Sequence, residues 1–167
     1  AGTLVVLAVS TTAGYAFGRL RWKGRDVVFV LFLVTLMVPQ EVLVVPMFIV
    51  MQWFGWVDTY QSLIFPFAFT AFGTFLMRQY FLGLPPELGE AAALDGAGPW
   101  RIFRAVYAPL AVPGMAIVGI LAFNFHWNEF FRPLVLEINE QNFTLPLGLV
   151  SLQGNLGTGS ISVVLAG

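Results

Sequence analysis

Residues 27–53 read VVFVLFLVTLMVPQEVLVVPMFIVMQW, a run in which Glu41 is the one charged side chain. An α-helix rises about 1.5 Å per residue and the hydrocarbon core of a bilayer is about 30 Å thick, so roughly 20 apolar residues suffice to cross it. The stretch therefore reads as a membrane-spanning helix with length to spare. Pro39 and Pro46 interrupt it, and each removes a backbone donor and crowds the preceding turn, so a kink or break is expected. Gln40 and Glu41 follow the first of these prolines. In a straight helix Glu41 would sit near mid-membrane, where a carboxylate must face a cavity, water or a partner. If the break lifts it to the outer boundary, it becomes a solvated cap. Both readings stay open, and Gln40 and Glu41 are candidates for a solute path.

The rest of the chain agrees with a membrane setting. Of its residues 58% are hydrophobic and 10% charged, with a mean hydropathy of +0.82, against about 25% charged in soluble domains. Further apolar windows cover 1–18, 62–82 and about 109–127, and a fifth run begins near Ile161. The expected fold is an all-α polytopic transmembrane helical bundle of about five spans, the first and last truncated. The chain opens without Met and closes inside an apolar run, so it reads as a piece of a longer protein, and no basic leader or cleavage site marks a signal peptide. A net charge of -1 gives no electrostatic footprint for nucleic acid. With no Cys and His126 as the single His, neither a metal cluster nor a hydrolytic Ser/His arrangement is expected. GNLGTGS (154–160) spaces two glycines like a phosphate loop, but Ser160 stands where the lysine is required, and the stretch reads as a loop.

Successive spans must alternate sides. The connections 19–26 and 83–108 then share one face, and 55–60 and the long polar loop from about 128 to 160 share the other. Arg19, Arg21, Lys23, Arg25, Arg78, Arg101 and Arg104 fall on or beside the first face, whereas Arg132 alone falls on the second. Cytoplasmic loops carry the excess of Lys and Arg, so residues 83–108 are expected in the cytoplasm. In the first window Ser10, Gly14 and Gly18 recur every four residues, a small-residue face that allows a second helix to approach closely.

The cytoplasmic connection contains ELGEAAALDGAGPW (87–100). Pro85 and Pro86 end the third span and can begin a helix, with Glu87 and Glu90 near the positive end of its dipole. Ala91, Ala92, Ala93 and Leu94 are strong helix formers, and Gly96 and Gly98 supply a stop. Pro99 starts a second arm, in which Trp100, Phe103 and Val106 or Tyr107 recur at helical spacing opposite Arg101 and Arg104. A short helix, a glycine corner and a second helix make a shape suited to docking in a partner's groove.

Glu90-Ala91-Ala92, then Gly96 and Pro109 in register, resemble the EAA signature of the permease subunits of ABC importers, binding-protein-dependent transporters. Val106 replaces the usual Ile conservatively, and Ala108 departs from the usual Leu. The flanking stretches YAFGRLRWKGR, MVPQEVLVVPMF, DTYQSLIFPFAFTAFGTFLMRQYF, HWNEFFRPL and TLPLGL narrow the likeness to the carbohydrate-uptake permeases, from about residue 13 to 152. The resemblance implies a permease domain over 1–167 in a bacterial or archaeal inner membrane, moving a sugar or oligosaccharide, with glycerol phosphate or another polar solute as alternatives within the class. It implies a second permease subunit, an ABC ATPase dimer and an extracytoplasmic solute-binding protein as partners, beside membrane lipid. The chain is then no enzyme and holds no cofactor; ATP and Mg belong to the ATPase. The implied ATPase-coupling residues are Glu90, Ala91, Ala92, Leu94, Asp95, Gly96 and Pro109, with Glu90 making the polar contact, Leu94 filling an apolar pocket and Gly96 turning the chain. By the same likeness the 128–160 loop faces the binding protein.

Asn124, Trp127 and Asn128 stand at the outer end of the fourth window. A sugar ring can stack on Trp127 and its hydroxyls can bond to the amides, which sets a solute-path reading beside that of an interfacial aromatic belt. Two other classes compete with the importer. A polytopic membrane enzyme needs converging titratable groups at membrane depth, where Glu41 is the one candidate. An ion-coupled secondary transporter usually shows inverted repeats and several intramembrane ionisable residues, and the sequence displays neither.

Overall fold

The computed structural model describes residues 1–155, less the side chains of Glu140 and of 152–155. Every regular element among them is helical. The helices are α1 (Gly2–Arg19), α2 (Arg25–Val34), α3 (Gln40–Trp53), α4 (Tyr60–Ile64), α5 (Ala71–Gly83), α6 (Glu87–Leu94), α7 (Pro99–Ile102), α8 (Ala108–Leu110), α9 (Val112–Asn128), α10 (Phe131–Leu136) and α11 (Leu145–Asn155). Short 3-10 turns cover Thr35–Met37, Phe65–Phe67 and Glu140–Asn142, and a π-helical turn covers Phe103–Tyr107. The all-α expectation holds. The GNLGTGS stretch beyond Asn155 and the fifth apolar run lie outside the described residues.

The break expected within 27–53 is present, and the structure adds two more. No described helix is by itself long and apolar enough to cross a membrane, but three broken pairs satisfy length and composition together: Arg25–Met37 with Gln40–Trp53, Tyr60–Phe67 with Ala71–Gly83, and Pro99–Leu110 with Val112–Asn128. The first break follows from Pro39, which holds Val38 in an extended conformation with φ -84° and ψ 119°. Pro46, by contrast, lies inside α3 without ending it. The second break is set by Thr70, extended, whose Oγ1 accepts from the Gly73 amide at 3.4 Å and caps α5. The third falls at Ala111, just before Pro113 in the first turn of α9.

The chain forms two compact units. The first comprises Ala1–Pro39 and Phe67–Phe123, and the second Gln40–Pro66 and the described residues from Asn124. In the first unit α1 packs on α5 along the small-residue face read from the sequence: Ser10, Gly14 and Gly18 are all buried. A β-carbon at Gly14 would lie 2.5 Å from Met77 Cβ and 2.9 Å from the Arg78 amide nitrogen, and one at Gly73 would lie 2.6 Å from Ser10 Oγ. Backbones this close leave no room for larger residues. Met77 and Phe81, both fully buried, fill the remaining space with Val6, Tyr15, Phe103, Tyr107, Ala111 and Val118. Where α1 and α2 meet α5, Arg78 donates to the Phe17 carbonyl at 3.2 Å and to Asp26 at 3.2 Å, and its guanidinium lies 4.2 Å from the Phe29 ring centroid. Arg25 and Arg78, two of the basic residues counted on one face, thus have a structural task.

In the second unit α10 lies against α3 and α4. The stretch from 128 onward, expected as one long polar loop, contains α10, a 3-10 turn and α11 instead. Pro133 and Pro146 both sit in first turns of these helices, where the missing amide costs nothing.

Candidate functional site

The connection between α5 and α9 is built from local rules. Pro86 is the N-cap of α6, its carbonyl accepting from the Gly89 and Glu90 amides at 3.0 and 3.2 Å. Glu87 and Glu90 fall in the first turn, where the helix dipole favours a carboxylate. At the other end the Ala97 amide donates to the Ala92 carbonyl and the Gly96 amide to the Ala93 carbonyl, each at 3.0 Å. This pair is a Schellman motif, and it requires a left-handed residue after the cap. Gly96 supplies it, with φ +80°, and open space around its α-carbon shows that the constraint is conformational rather than steric. Pro99 then occupies the first turn of α7.

This loop is seated on an aromatic cluster. The Tyr15 ring lies 4.8 Å from Phe103, 5.7 Å from Tyr107 and 5.7 Å from Phe81, and its hydroxyl donates to the Pro99 carbonyl at 3.2 Å. The Arg19 guanidinium sits 4.8 Å from the Tyr107 centroid and donates to the Leu84 carbonyl. A β-carbon at Gly89 would lie 2.5 Å from the Tyr107 hydroxyl. Ala108, the departure from the signature, packs against the same cluster, and Tyr80 donates to the Leu110 carbonyl at 3.3 Å.

Away from the cluster the loop is bare. α6 buries none of its residues, Glu90, Ala91, Asp95, Gly96 and Pro109 are exposed, and Ala92 is half-buried. Leu94, at the tip, is 90% exposed, and Trp100 is 66% exposed. The expected apolar face of the second arm is correct for Phe103 and Tyr107, which are buried, but not for Trp100. The π turn over Phe103–Tyr107 keeps residues four apart on one face, whereas Trp100 precedes it and lies at the edge of the cluster, 5.2 Å from the Phe103 ring.

The candidate path residues lie in the second unit. Gln40 and Glu41 open α3 and are exposed, as are Asn124, Trp127 and Asn128 in the last turns of α9. The structure joins Asn128 to Asn124, Nδ2 to carbonyl, at 2.8 Å. No described hydrogen bond links Gln40 or Glu41 to that group.

The same unit holds a polar cluster that sequence reasoning missed. Asp58, at φ 61°, accepts from the Ile138 and Asn139 amides at 3.1 and 2.9 Å and from the Asn139 side chain, and Asn142 donates to its carbonyl at 3.0 Å. These bonds, the Asn139 amide foremost, hold its carboxyl below the usual range. Glu137 is buried, 4% exposed, with Oε1 2.7 Å from Ser62 Oγ, which is also 2.7 Å from the Thr59 carbonyl. Burial, reinforced by the charge of Asp58, raises the Glu137 carboxyl above its usual range. Nearby, Arg132 pairs with Glu129 and lies 4.9 Å from the Phe125 ring centroid. The i,i+3 spacing of Glu129 and Arg132 was a usable signal, whereas nothing local announced Glu137.

A raised carboxyl contributes stability at pH below its ordinary value, and that contribution is lost as pH rises through the folded value. Asp58, shifted downward, loses its contribution only in acid. The wild-type protein is therefore expected to lose more thermal stability than Glu137→Gln between pH 5 and pH 8. Unfolding midpoints at the two values check this, and equal slopes would refute it.

Comparison with known proteins gives a consistent picture. The sequence profile of the family described as binding-protein-dependent transport system inner membrane component matches residues 10–166. The arabinooligosaccharides transport system permease protein AraQ of Bacillus subtilis is 37% identical over 155 residues, covering 93% of this chain and 55% of that protein. The lactose transport system permease protein LacG of Rhizobium radiobacter is 34% identical over 169 residues, covering 99% and 62%. The chain thus spans a little over half the length of these curated relatives. A chain in the crystal structure of a bacterial ABC transporter involved in the import of the acidic polysaccharide alginate superposes with a TM-score of 0.82 at 28% identity, covering 96% of this chain and 58% of that one.

Proposed function

The chain belongs to the family of binding-protein-dependent transport system inner membrane components, and from that premise we propose that it is one half of the membrane pore of an ATP-driven sugar importer, coupled to its ATPase through residues 87–100. The observation that carries this reading is α6 itself: a helix with no buried residue, an acidic first turn and an apolar tip at Leu94, on a loop whose Glu90, Ala91, Ala92, Gly96 and Pro109 stand in the register of the EAA signature. Such a helix fits an apolar cleft in a partner, with Glu90 at its rim, Leu94 inside it and Asp95 and Gly96 forming the turn beyond.

The chain performs no chemistry in this account. ATP and Mg bind the ATPase dimer, whose closure carries the docked loop of this subunit and that of a second permease subunit. The spans then exchange inward-facing and outward-facing states. Nucleotide can drive that exchange only through differential affinity for the two states, so the docking contact must hold throughout. The loop lies in the cytoplasm, and the segment after Asn128 meets an extracytoplasmic binding protein. The saccharide class follows the relatives' names, among which a permease for sn-glycerol-3-phosphate transport also appears. Asn124, Trp127 and Asn128, exposed together, and separately Gln40 and Glu41, are proposed to line the solute path.

The test is uptake by the full-length protein with its partners in liposomes. Accumulation of a labelled oligosaccharide is expected to require both ATP inside the ATPase-facing compartment and the binding protein on the opposite side. Accumulation driven by an ion gradient without ATP would overturn the proposal.

A further inference from the structure

The docking loop is held by a helix to which it is not adjacent in sequence. Tyr15 and Arg19 stand one turn apart at the end of α1, yet between them they contact the loop where it begins, where it returns and where it ends: Arg19 donates to the Leu84 carbonyl, Tyr15 to the Pro99 carbonyl, and both pack on Tyr107. Gly89 brings α6 against the Tyr107 hydroxyl, so that the first arm also rests on this contact. The Schellman corner at Gly96 and the packing of Phe103 on Tyr15 connect the tip to this seat. α1 is fixed in turn to α5 through Gly14 and Gly73.

We propose that Tyr15 and Arg19 are positioning residues for energy coupling, transmitting displacement of the docked loop to α1, so that this first helix moves with the loop rather than following through α5 and α9 alone. The inference rests on the reading of 87–100 as the ATPase contact. Its physical basis is the number of independent anchors: a loop tied only by its two covalent ends can pivot, whereas one also held at Leu84, Pro99 and Tyr107 must carry the helix that holds it. The anchors are two directional hydrogen bonds and a cation over an aromatic ring, in an otherwise apolar seat where such contacts are strengthened by low dielectric.

The experiment compares the full complex carrying Tyr15→Leu with Arg19→Met against wild type in liposomes. These replacements retain apolar bulk and remove the directional anchors. The ATPase is expected to co-purify as in wild type and to hydrolyse ATP, while solute moved per ATP hydrolysed falls about 5- to 150-fold, the usual span of a coupling free energy between sites. Tyr15→Phe keeps the ring contacts and the Arg19 anchors, losing one hydrogen bond, and is expected to stay near the wild-type ratio. A wild-type ratio in the double variant would overturn the inference, as would loss of ATPase co-purification, which would make the anchors part of docking. If the double variant does not accumulate in the membrane, each single replacement is read by the same ratio. Glu90→Lys serves as the separate control: if it leaves docking intact the underlying reading fails, and if it abolishes docking while Tyr15 and Arg19 variants couple normally, only the present inference fails.

Discussion

Gly14→Ala is expected to destabilise the protein by about 2–3 kcal/mol, the upper part of the range for forcing an extra carbon into a packed interior. The new β-carbon would stand 2.5 Å from Met77 Cβ and 2.9 Å from the backbone nitrogen of Arg78. Neither neighbour is the free end of a flexible chain, so relief requires α1 and α5 to separate. Gly18 offers an internal comparison: a β-carbon there meets Phe81 Cβ at 3.3 Å, a contact that yields by a few tenths of an ångström, and Gly18→Ala should cost less than about 1 kcal/mol. Thermal unfolding of the two purified variants of the full-length protein checks the ranking. Equal midpoints would mean that the helices are not held at this distance.

Glu90→Lys is expected to weaken ATPase binding by about 2–4 kcal/mol, or roughly 30- to 1,000-fold in Kd, the scale on which reversal of a docked charge acts. Glu90 is exposed and donates nothing to the core, so the fold should survive the change. Part of any loss would come from opposing the helix dipole, an effect of about 0.3–1 kcal/mol in a first turn. Glu87 shares that turn and lies outside the signature, so Glu87→Lys measures the dipole contribution alone. Titration of the ATPase onto reconstituted permease carrying each change separates the two. Similar small losses in both would remove Glu90 from the contact.

Much of this could be read from residues near one another in the chain. Ser10, Gly14 and Gly18 announced a close helix contact because their spacing puts them on one helix face, but the partner, α5, came only with the structure. Gly96 announced its corner because a left-handed position after four helix formers has few other tenants. Pro39 gave the first break. Thr70 and Ala111 did not give the others, since a cap threonine and an alanine are ordinary inside apolar runs. The π turn was invisible for a similar reason: the rings it aligns, Phe103 and Tyr107, pack on Tyr15 and Phe81, from helices far off in sequence. Hydropathy likewise concealed α10 and α11, whose polar surroundings read as loop. Glu137 is bonded to Ser62, 75 residues away, and is followed by backbone amides held by Asp58, none of which leaves a periodic mark.

The central claim is that the tip of α6 sits in the ATPase. The 167 residues contain no cysteine, so Leu94→Cys places a unique thiol in this segment at its 90%-exposed tip, and Ile138→Cys places one at a 72%-exposed site assigned to the opposite side of the membrane. With a short thiol-directed photo-crosslinker on the assembled full-length complex, the ATPase subunit should be captured from position 94 and not from 138. Absence of an ATPase product from 94, or equal capture from 138, would contradict the account.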